Sequence, residues 1–147
     1  MEAAPLRYHW LRLRAFVHAT EDPAKVEAAI RTVAGDPELD VGRTEVEGHH
    51  GGRLLILEAT LDTSRLVKEA LARLLAIPGA RGDLEATLDP RTDEEGILHL
   101  RLDKQEAAQG RLALTRGEDA VQVRVKANVH PVTRAKAMAA WKRWLEK

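Results

Sequence analysis

Polar and apolar residues alternate along three stretches of the chain, and this period of two predicts strands with one buried and one exposed face. Two further stretches flank a glycine-rich segment and are predicted to form a hairpin with it. The predicted strands are Tyr8–Ala19, Asp40–Glu47, Arg53–Leu61, Leu98–Asp103 and Ala120–Val129, with a shorter one at Arg111–Leu114. Their apolar sides together predict a sheet that packs on one face.

Apolar residues recur at helical spacing in three other stretches, each of which follows a residue that caps a helix. The caps are Asp22 with Pro23 after it, Thr63 or Ser64, and Thr133; Gly35 and Pro78-Gly79 end the first two helices. The stretch Arg81–Glu95 is acidic and weakly patterned, so we predict a short helix there at most, followed by a turn at 93–96.

A sharp corner is predicted where the strand that begins at residue 98 ends. Asp103 is a good N-cap, Lys104–Gln109 can form one or two helical turns, and Gly110 supplies the left-handed residue that ends them. Lys104 and Gln105 therefore lie at a rigid corner between two strands. Such a corner either presents polar groups to a ligand or serves only as a connection.

The elements follow one another without a repeat, linker or low-complexity tract, so we predict a single domain over residues 1–147. The predicted fold class is α+β, with a mixed or antiparallel sheet and helices packed on one face. A chain of 147 residues is long enough to fold on its own core.

Composition narrows the possible chemistry. The sequence has no cysteine, so disulfides, thiolate metal sites and cysteine catalysis are excluded. No stretch approaches the ~20 apolar residues of a membrane span, and the N-terminus lacks the basic and apolar regions of a signal peptide. We therefore expect a cytoplasmic protein that does not bind membranes.

Charge is balanced overall but not along the chain. The 23 basic residues equal the 23 acidic ones, yet residues 120–147 contain seven basic residues against one acid. The outward positions of the predicted strands carry the cations Arg12, Arg14, Arg101, Arg124 and Lys126, with His99 among them. If the helices cover the opposite face, these side chains share one open surface that attracts phosphates. The alternative is a solvated surface on which the arginines pair with glutamates.

The predicted hairpin tip places two imidazoles, His49 and His50, beside glycine amides, and Arg53 starts the next strand. Phosphate contact or stacking on a base suits these groups. A metal site is less favoured, because adjacent histidines on an extended hairpin point apart and no further ligand follows at a fixed spacing. We therefore predict no metal and no cofactor.

Catalysis is the weaker hypothesis for this sequence. A hydrolase could use His99, Asp103 and Lys104. However, the sequence has no nucleophile elbow, phosphate-binding glycine loop or paired carboxylates at a recognisable spacing. We therefore predict that the protein is not an enzyme.

Three separated segments resemble a family of small archaeal RNA-binding proteins regarded as predicted exosome subunits. They are Leu13–Asp22, Glu47–Gly51 and Leu100–Gln105 with Gly110 beyond it, in the order found in that family. The resemblance implies an α+β fold similar to that of the large-subunit ribosomal protein that contacts 5S rRNA, a homodimer, and RNA as the partner. Gly52 and Ala108 depart from the family pattern, which has an amide-bearing residue and an aromatic residue there.

Together, the residues and the resemblance favour a non-catalytic RNA-binding protein, an accessory factor in RNA processing or degradation that associates with exosome proteins. The predicted RNA-binding residues are Arg12, Arg14, His49, His50, Arg53, Arg101, Lys104, Gln105, Arg124 and Lys126. Two alternatives stay open: a protein that assembles complexes through protein contacts, and a metal-dependent phosphoesterase. Salt dependence separates RNA binding from an apolar protein interface, because only phosphate contacts weaken steeply with salt.

Overall fold

The computed structural model describes residues 5–47 and 52–147, and in that part of the chain it contains ten elements of secondary structure. The strands are β1 (Tyr8–Val17), β2 (Gly42–Glu47), β3 (Arg53–Leu61), β4 (Leu98–Asp103) and β5 (Ala120–Ala127). The helices are α1 (Pro23–Ala34), α2 (Ser64–Leu75), α3 (Ala80–Arg91), α4 (Lys104–Ala108) and α5 (Arg134–Glu146). None of these helices combines the length and the apolar character that crossing a bilayer requires.

The strands form one five-stranded sheet in the order β2-β3-β1-β5-β4. β2 and β3 pair antiparallel, with Gly42 opposite Glu58 at one end and Glu47 opposite Arg53 at the other. Along β1, β4 and β5, buried side chains alternate with outward ones, as their sequence patterns predict. The predicted α+β class with a single sheet is confirmed.

The chain groups into two compact units, each assembled from separated segments. Unit 1 comprises Met1–Leu11, Leu61–Leu100 and Arg124–Lys147, and unit 2 comprises Arg12–Thr60 and Arg101–Val123. Unit 1 therefore contains α2, α3 and α5, whereas unit 2 contains α1, α4 and most of the β2–β3 hairpin. The interpretation as a single domain stays a prediction.

In unit 2, α1 packs against α4. The predicted start of α1 is confirmed: the Asp22 carboxylate accepts a hydrogen bond of 3.0 Å from the N–H of Ala24, and Pro23 is the first helical residue. Gly35, with a φ of 73°, ends the helix in the left-handed conformation. The buried side of α1 consists of Val26, Ala29, Ile30, Val33 and Ala34.

In unit 1, Trp141 on α5 is the central side chain of the core. Trp141 is fully buried and stacks on Tyr8, with 6.0 Å between the ring centroids. Its indole N–H donates a hydrogen bond of 3.0 Å to the carbonyl of Gly96, which satisfies the only polar atom of the side chain. The turn that precedes β4 is thereby attached to α5.

The prediction of a short helix at most over Arg81–Glu95 is wrong. The chain instead forms α3, a helix of 12 residues that buries Ala80, Leu84 and Leu88. These three residues lie four apart, so they occupy one face, while the acidic residues occupy the others. The apolar stripe of α3 is narrow, and the acidic residues around it made the helical pattern hard to recognise in the sequence.

The predicted strand at Arg111–Leu114 is also wrong, since the structure has only an isolated bridge between Leu114 and Leu102 there. Two backbone hydrogen bonds flank the bridge, from the N–H of Asp103 to Ala113 at 2.8 Å and from that of Thr115 to Arg101 at 3.0 Å. The contact with β4 is too short to be extended into a strand.

Two glycines with the same backbone conformation provide a test of this packing. Gly96 and Gly110 both have a φ of 86°, but a Cβ at Gly96 would overlap the Cβ of Ala137, whereas a Cβ at Gly110 meets nothing within 4 Å. Gly110→Ala should lower the free energy of unfolding by about 1 kcal/mol, the strain of a left-handed alanine. Gly96→Ala should lower it by roughly 2–5 kcal/mol, because overpacking adds to that strain. Urea denaturation of both variants measures the difference, and equal losses would contradict this account.

Candidate nucleic-acid interface

Exposed arginines lie on the outward positions of two strands in unit 2. Arg12 on β1 and Arg101 on β4 are both exposed, at positions that alternate with buried leucines. The guanidinium of Arg101 donates a hydrogen bond of 3.2 Å to the carbonyl of Gly117, which restrains its direction. A phosphate in solution can reach both side chains.

Two other arginines predicted to bind RNA form ion pairs within unit 2. Arg14 lies 3.6 Å from the carboxylate of Glu58, and its guanidinium carbon lies 5.7 Å from the centre of the Phe16 ring. Arg53, at the start of β3, lies 3.3 Å from Glu45 on the paired strand. The glutamates partly offset these positive charges, as the alternative of a solvated, paired surface anticipates. Pairs this exposed contribute little to stability.

The remaining cations of the predicted face belong to unit 1. Arg124 on β5 is exposed and Lys126 is half-buried. His99 on β4 lies 2.8 Å from the carboxylate of Asp93. Burial alone would raise the pKa of Asp93, but hydrogen bonds from His99 and from the backbone N–H of Ile97 lower it below its ordinary value. The His99 side chain is therefore hydrogen-bonded to the turn before β4.

Two predicted residues, His49 and His50, lie outside the described residues. Their contact with RNA stays a prediction. The strands on either side of them, β2 and β3, are in register up to Glu47 opposite Arg53, so the predicted hairpin pairing is confirmed around the tip.

The predicted corner after β4 is occupied by a buried ammonium group. Lys104 is only 2% exposed. Its Nζ donates to the carbonyl oxygen of Phe16 at 2.9 Å and lies 2.7 Å from the carboxylates of both Glu21 and Asp119. Three acceptors match the three N–H donors of an ammonium group, so its hydrogen-bonding capacity is filled within unit 2. Lys104 positions the corner and does not reach the surface.

Both carboxylates of this cluster are held in their ionised form. Burial alone would raise the pKa of Glu21, but hydrogen bonds from Lys104 and from the backbone N–H of His18 lower it below the ordinary value. The pKa of Asp119 is lowered in the same way, against burial, by hydrogen bonds from Lys104 and Gln105. Glu21 and Asp119 therefore keep their negative charges at neutral pH.

Gln105 completes the cluster from the exposed side. Its amide nitrogen donates to Glu21 at 3.3 Å and to Asp119 at 3.0 Å. The N-cap of α4 is Asp103, whose carboxylate accepts a hydrogen bond of 2.9 Å from the N–H of Glu106, as the sequence predicts. This capped turn fixes the backbone positions of Lys104 and Gln105.

The sequence contained a signal for the burial of Lys104 that its basic character obscured. Leu98, Leu100 and Leu102 alternate on the buried side of β4, and Lys104 is the next residue in that series. Its acidic partners were missed because Glu21 is 83 residues away along the chain and nothing in either local pattern connects them.

The same cluster offers the ligand atoms that a metal site needs. Among the described residues, donor atoms of His18, Glu21 and Asp119 lie within 4.8 Å of one another. The ammonium of Lys104, however, already lies 2.7 Å from each of the two carboxylates. It supplies the positive charge that a bound cation would otherwise supply.

Comparisons with known proteins agree on one group of relatives. A family model described as RNA binding matches residues 10–127. "RNA-binding protein PAB1135" of Pyrococcus abyssi is 34% identical over 152 residues, which cover 98% of this chain and 97% of that protein.

Solved structures give the same picture for the fold. Protein AF2318 from Archaeglobus fulgidus, of family DUF54, is 33% identical with a TM-score of 0.83, covering 94% of this chain and 99% of that one. Mth689, a DUF54 protein from Methanothermobacter thermautotrophicus, is 32% identical with a TM-score of 0.78, covering 95% and 98%. The similarity in each case extends over almost the whole length of both chains.

The burial of the Lys104 ammonium predicts how the free energy of unfolding depends on pH. Lys104→Met should lower the free energy of unfolding by about 1.5–3 kcal/mol at neutral pH, because it removes the cation that is hydrogen-bonded to two ionised, partly exposed carboxylates. The folded pKa values of Glu21 and Asp119 lie below the ordinary 4.5 and 3.8, so the stabilisation is present above those values and is lost as pH falls through the lowered ones. The difference between wild type and variant should therefore shrink below about pH 4.

Urea denaturation at neutral and acidic pH measures this effect. The matched control is Lys25→Met, which removes an exposed lysine of α1 and should change the stability by no more than about 0.5 kcal/mol. A loss in Lys104→Met that is the same at both pH values would show that packing, and not charge, is the contribution of the side chain.

Proposed function

This chain belongs to the RNA-binding family whose model matches residues 10–127, and on that basis we propose that it binds RNA through phosphate contacts and does not catalyse a reaction. The exposed basic residues of the strands are the proposed contacts. Arg12 and Arg101 contribute them in unit 2, and Arg124 and Lys126 contribute them in unit 1. Each cation that displaces a condensed counterion from RNA adds to a salt-dependent affinity.

The predicted RNA-binding residues differ in how far their charges are available to a phosphate. Arg14 and Arg53 each have a carboxylate within 3.6 Å, which partly offsets the positive charge that they present to a phosphate. Lys104 contributes by positioning, since its ammonium is buried. Base stacking on the sheet is limited in unit 2, where the one aromatic residue, Phe16, is half-buried under the guanidinium of Arg14.

A binding role without catalysis is supported by the cluster that most resembles a catalytic centre. A general base works best when its pKa lies near the working pH. The pKa values of Glu21 and Asp119 are lowered instead, away from neutrality. The ammonium that would act as a nucleophile or acid, on Lys104, is buried and hydrogen-bonded to three acceptors.

We further propose that the protein is an accessory factor in RNA processing or degradation, that it associates with exosome proteins, and that it forms homodimers. The support for these three points is the resemblance of the segments Leu13–Asp22, Glu47–Gly51 and Leu100–Gln105 to the archaeal family regarded as predicted exosome subunits. Co-purification with the RNA-degrading complex of the source organism and sedimentation analysis of the free protein test them.

The phosphate contacts make a prediction about salt dependence. Arg12→Ala, Arg101→Ala and Arg124→Ala should each reduce the slope of log affinity against log salt by about 0.7–0.9, the contribution of one phosphate contact. Sequence preference should stay the same, because phosphate contacts do not read bases. Fluorescence anisotropy with a labelled RNA at several salt concentrations gives both quantities.

The matched control for these variants is Arg65→Ala. Arg65 is also an exposed arginine, but it lies on α2 and pairs with Glu69 one helical turn away, at 3.2 Å. Its loss should leave the slope unchanged. If all three strand variants also leave the slope unchanged, the strand arginines do not contact phosphates and the proposed interface is wrong.

A further inference from the structure

We propose that a cleft between α1 and α4 binds one unpaired base of the RNA and favours bases that carry an exocyclic amino group. The inference rests on the proposed function, since it assumes RNA as the ligand, and it adds a specificity site to it. All of the residues involved belong to unit 2.

The cleft has the size and lining of a site for a small flat ring. It encloses about 260 Å³ between Val26 on α1 and Ala108 on α4, with Gln105 at its edge. Drug-sized ligands occupy sites of roughly 300–1,000 Å³, so this volume fits one base and not a longer segment of RNA. Proteins that read RNA sequence commonly insert single unstacked bases into sites of this kind.

The orientation of the Gln105 amide is fixed by its neighbours. Its nitrogen donates to the carboxylates of Glu21 and Asp119, which are ionised and can only accept. Turning the amide over would place its oxygen against two carboxylates, so the nitrogen must face them. The carbonyl oxygen, an acceptor, is therefore the group that Gln105 offers to a ligand.

The other polar groups of the cleft are also mostly acceptors. Glu21 and Asp22 contribute carboxylates, whereas the ammonium of Lys104 is fully engaged with its three partners. The other cation of the lining is Lys25, which is exposed on α1. The acceptors of this lining favour neutral groups that donate hydrogen bonds. The cleft thus complements the strand arginines, which attract phosphates.

Cytosine and uracil differ in the property that this lining distinguishes. Cytosine carries an amino group that donates, whereas uracil has a carbonyl oxygen at the same position. The uracil oxygen would face the carbonyl of Gln105 and the nearby carboxylates. One hydrogen bond gained or lost in this way changes affinity by about 3- to 10-fold.

Binding of oligocytidylate and oligouridylate of equal length, at one salt concentration and pH 7.5, tests the inference. Wild type should bind the cytidine oligomer about 3- to 10-fold more tightly. Gln105→Met removes the acceptor while keeping the length of the side chain, and Ala108→Leu fills the cleft. Both variants should bind the two oligomers equally, with the salt dependence of binding unchanged.

The matched control is Gln109→Met, at the end of the same short helix. Gln109 is exposed, its oxygen accepts a hydrogen bond of 3.2 Å from Arg111, and it does not line the cleft. This variant should keep the preference for cytidine. Thermal melting identifies a variant that fails to fold, and the other cleft variant then decides the test.

The outcomes separate this inference from the proposed function. Equal, salt-dependent binding of both oligomers by wild type would overturn the cleft as a specificity site and leave RNA binding intact. A cytidine preference that persists in both cleft variants would also overturn it. The absence of binding to either oligomer and to structured RNA would overturn the proposed function itself.

Discussion

A single buried ammonium group holds together the parts of unit 2 that matter for the site. Lys104 connects the end of β1, through the carbonyl of Phe16, to Glu21 ahead of α1 and to Asp119 ahead of β5. Its own backbone N–H adds a hydrogen bond of 3.2 Å to the carbonyl of Asp119. Burying the ammonium of Lys104 is costly, and this arrangement compensates for the cost only because each donor of the ammonium has an acceptor in place. The geometry of the corner follows from that requirement.

Residues of the same charge thus serve two separate purposes in this chain. Basic side chains at outward strand positions, such as Arg12 and Arg101, keep their charge where a polyanion can meet it. Lys104, at an inward position, forms ion pairs with two carboxylates, and the amide of Gln105 is hydrogen-bonded beside them. Exposed strand arginines and a cleft rich in acceptors can therefore coexist in a protein with a formal net charge of zero.

Local patterns predicted the features that local physics determines. The alternation in β1, β4 and β5 and the caps at Asp22, Thr63 and Thr133 are found where the sequence placed them. What could not be predicted depends on partners distant in sequence: the pairing of Arg14 with Glu58 is one example. The prediction for α3 was wrong for a different reason. Three buried residues at a spacing of four are a weak helical signal in a stretch that is rich in acidic residues.

The core of unit 1 has a consequence for how the protein can be observed. The sequence has three tryptophans and one tyrosine, and all four belong to unit 1, since Trp10 and Tyr8 precede its first boundary and Trp141 and Trp144 lie on α5. The fluorescent side chains therefore all belong to that unit, while far-ultraviolet circular dichroism measures the backbone of both. Coincident transitions by the two spectroscopies would identify one cooperative folding reaction, and separated transitions would assign the fluorescent one to unit 1.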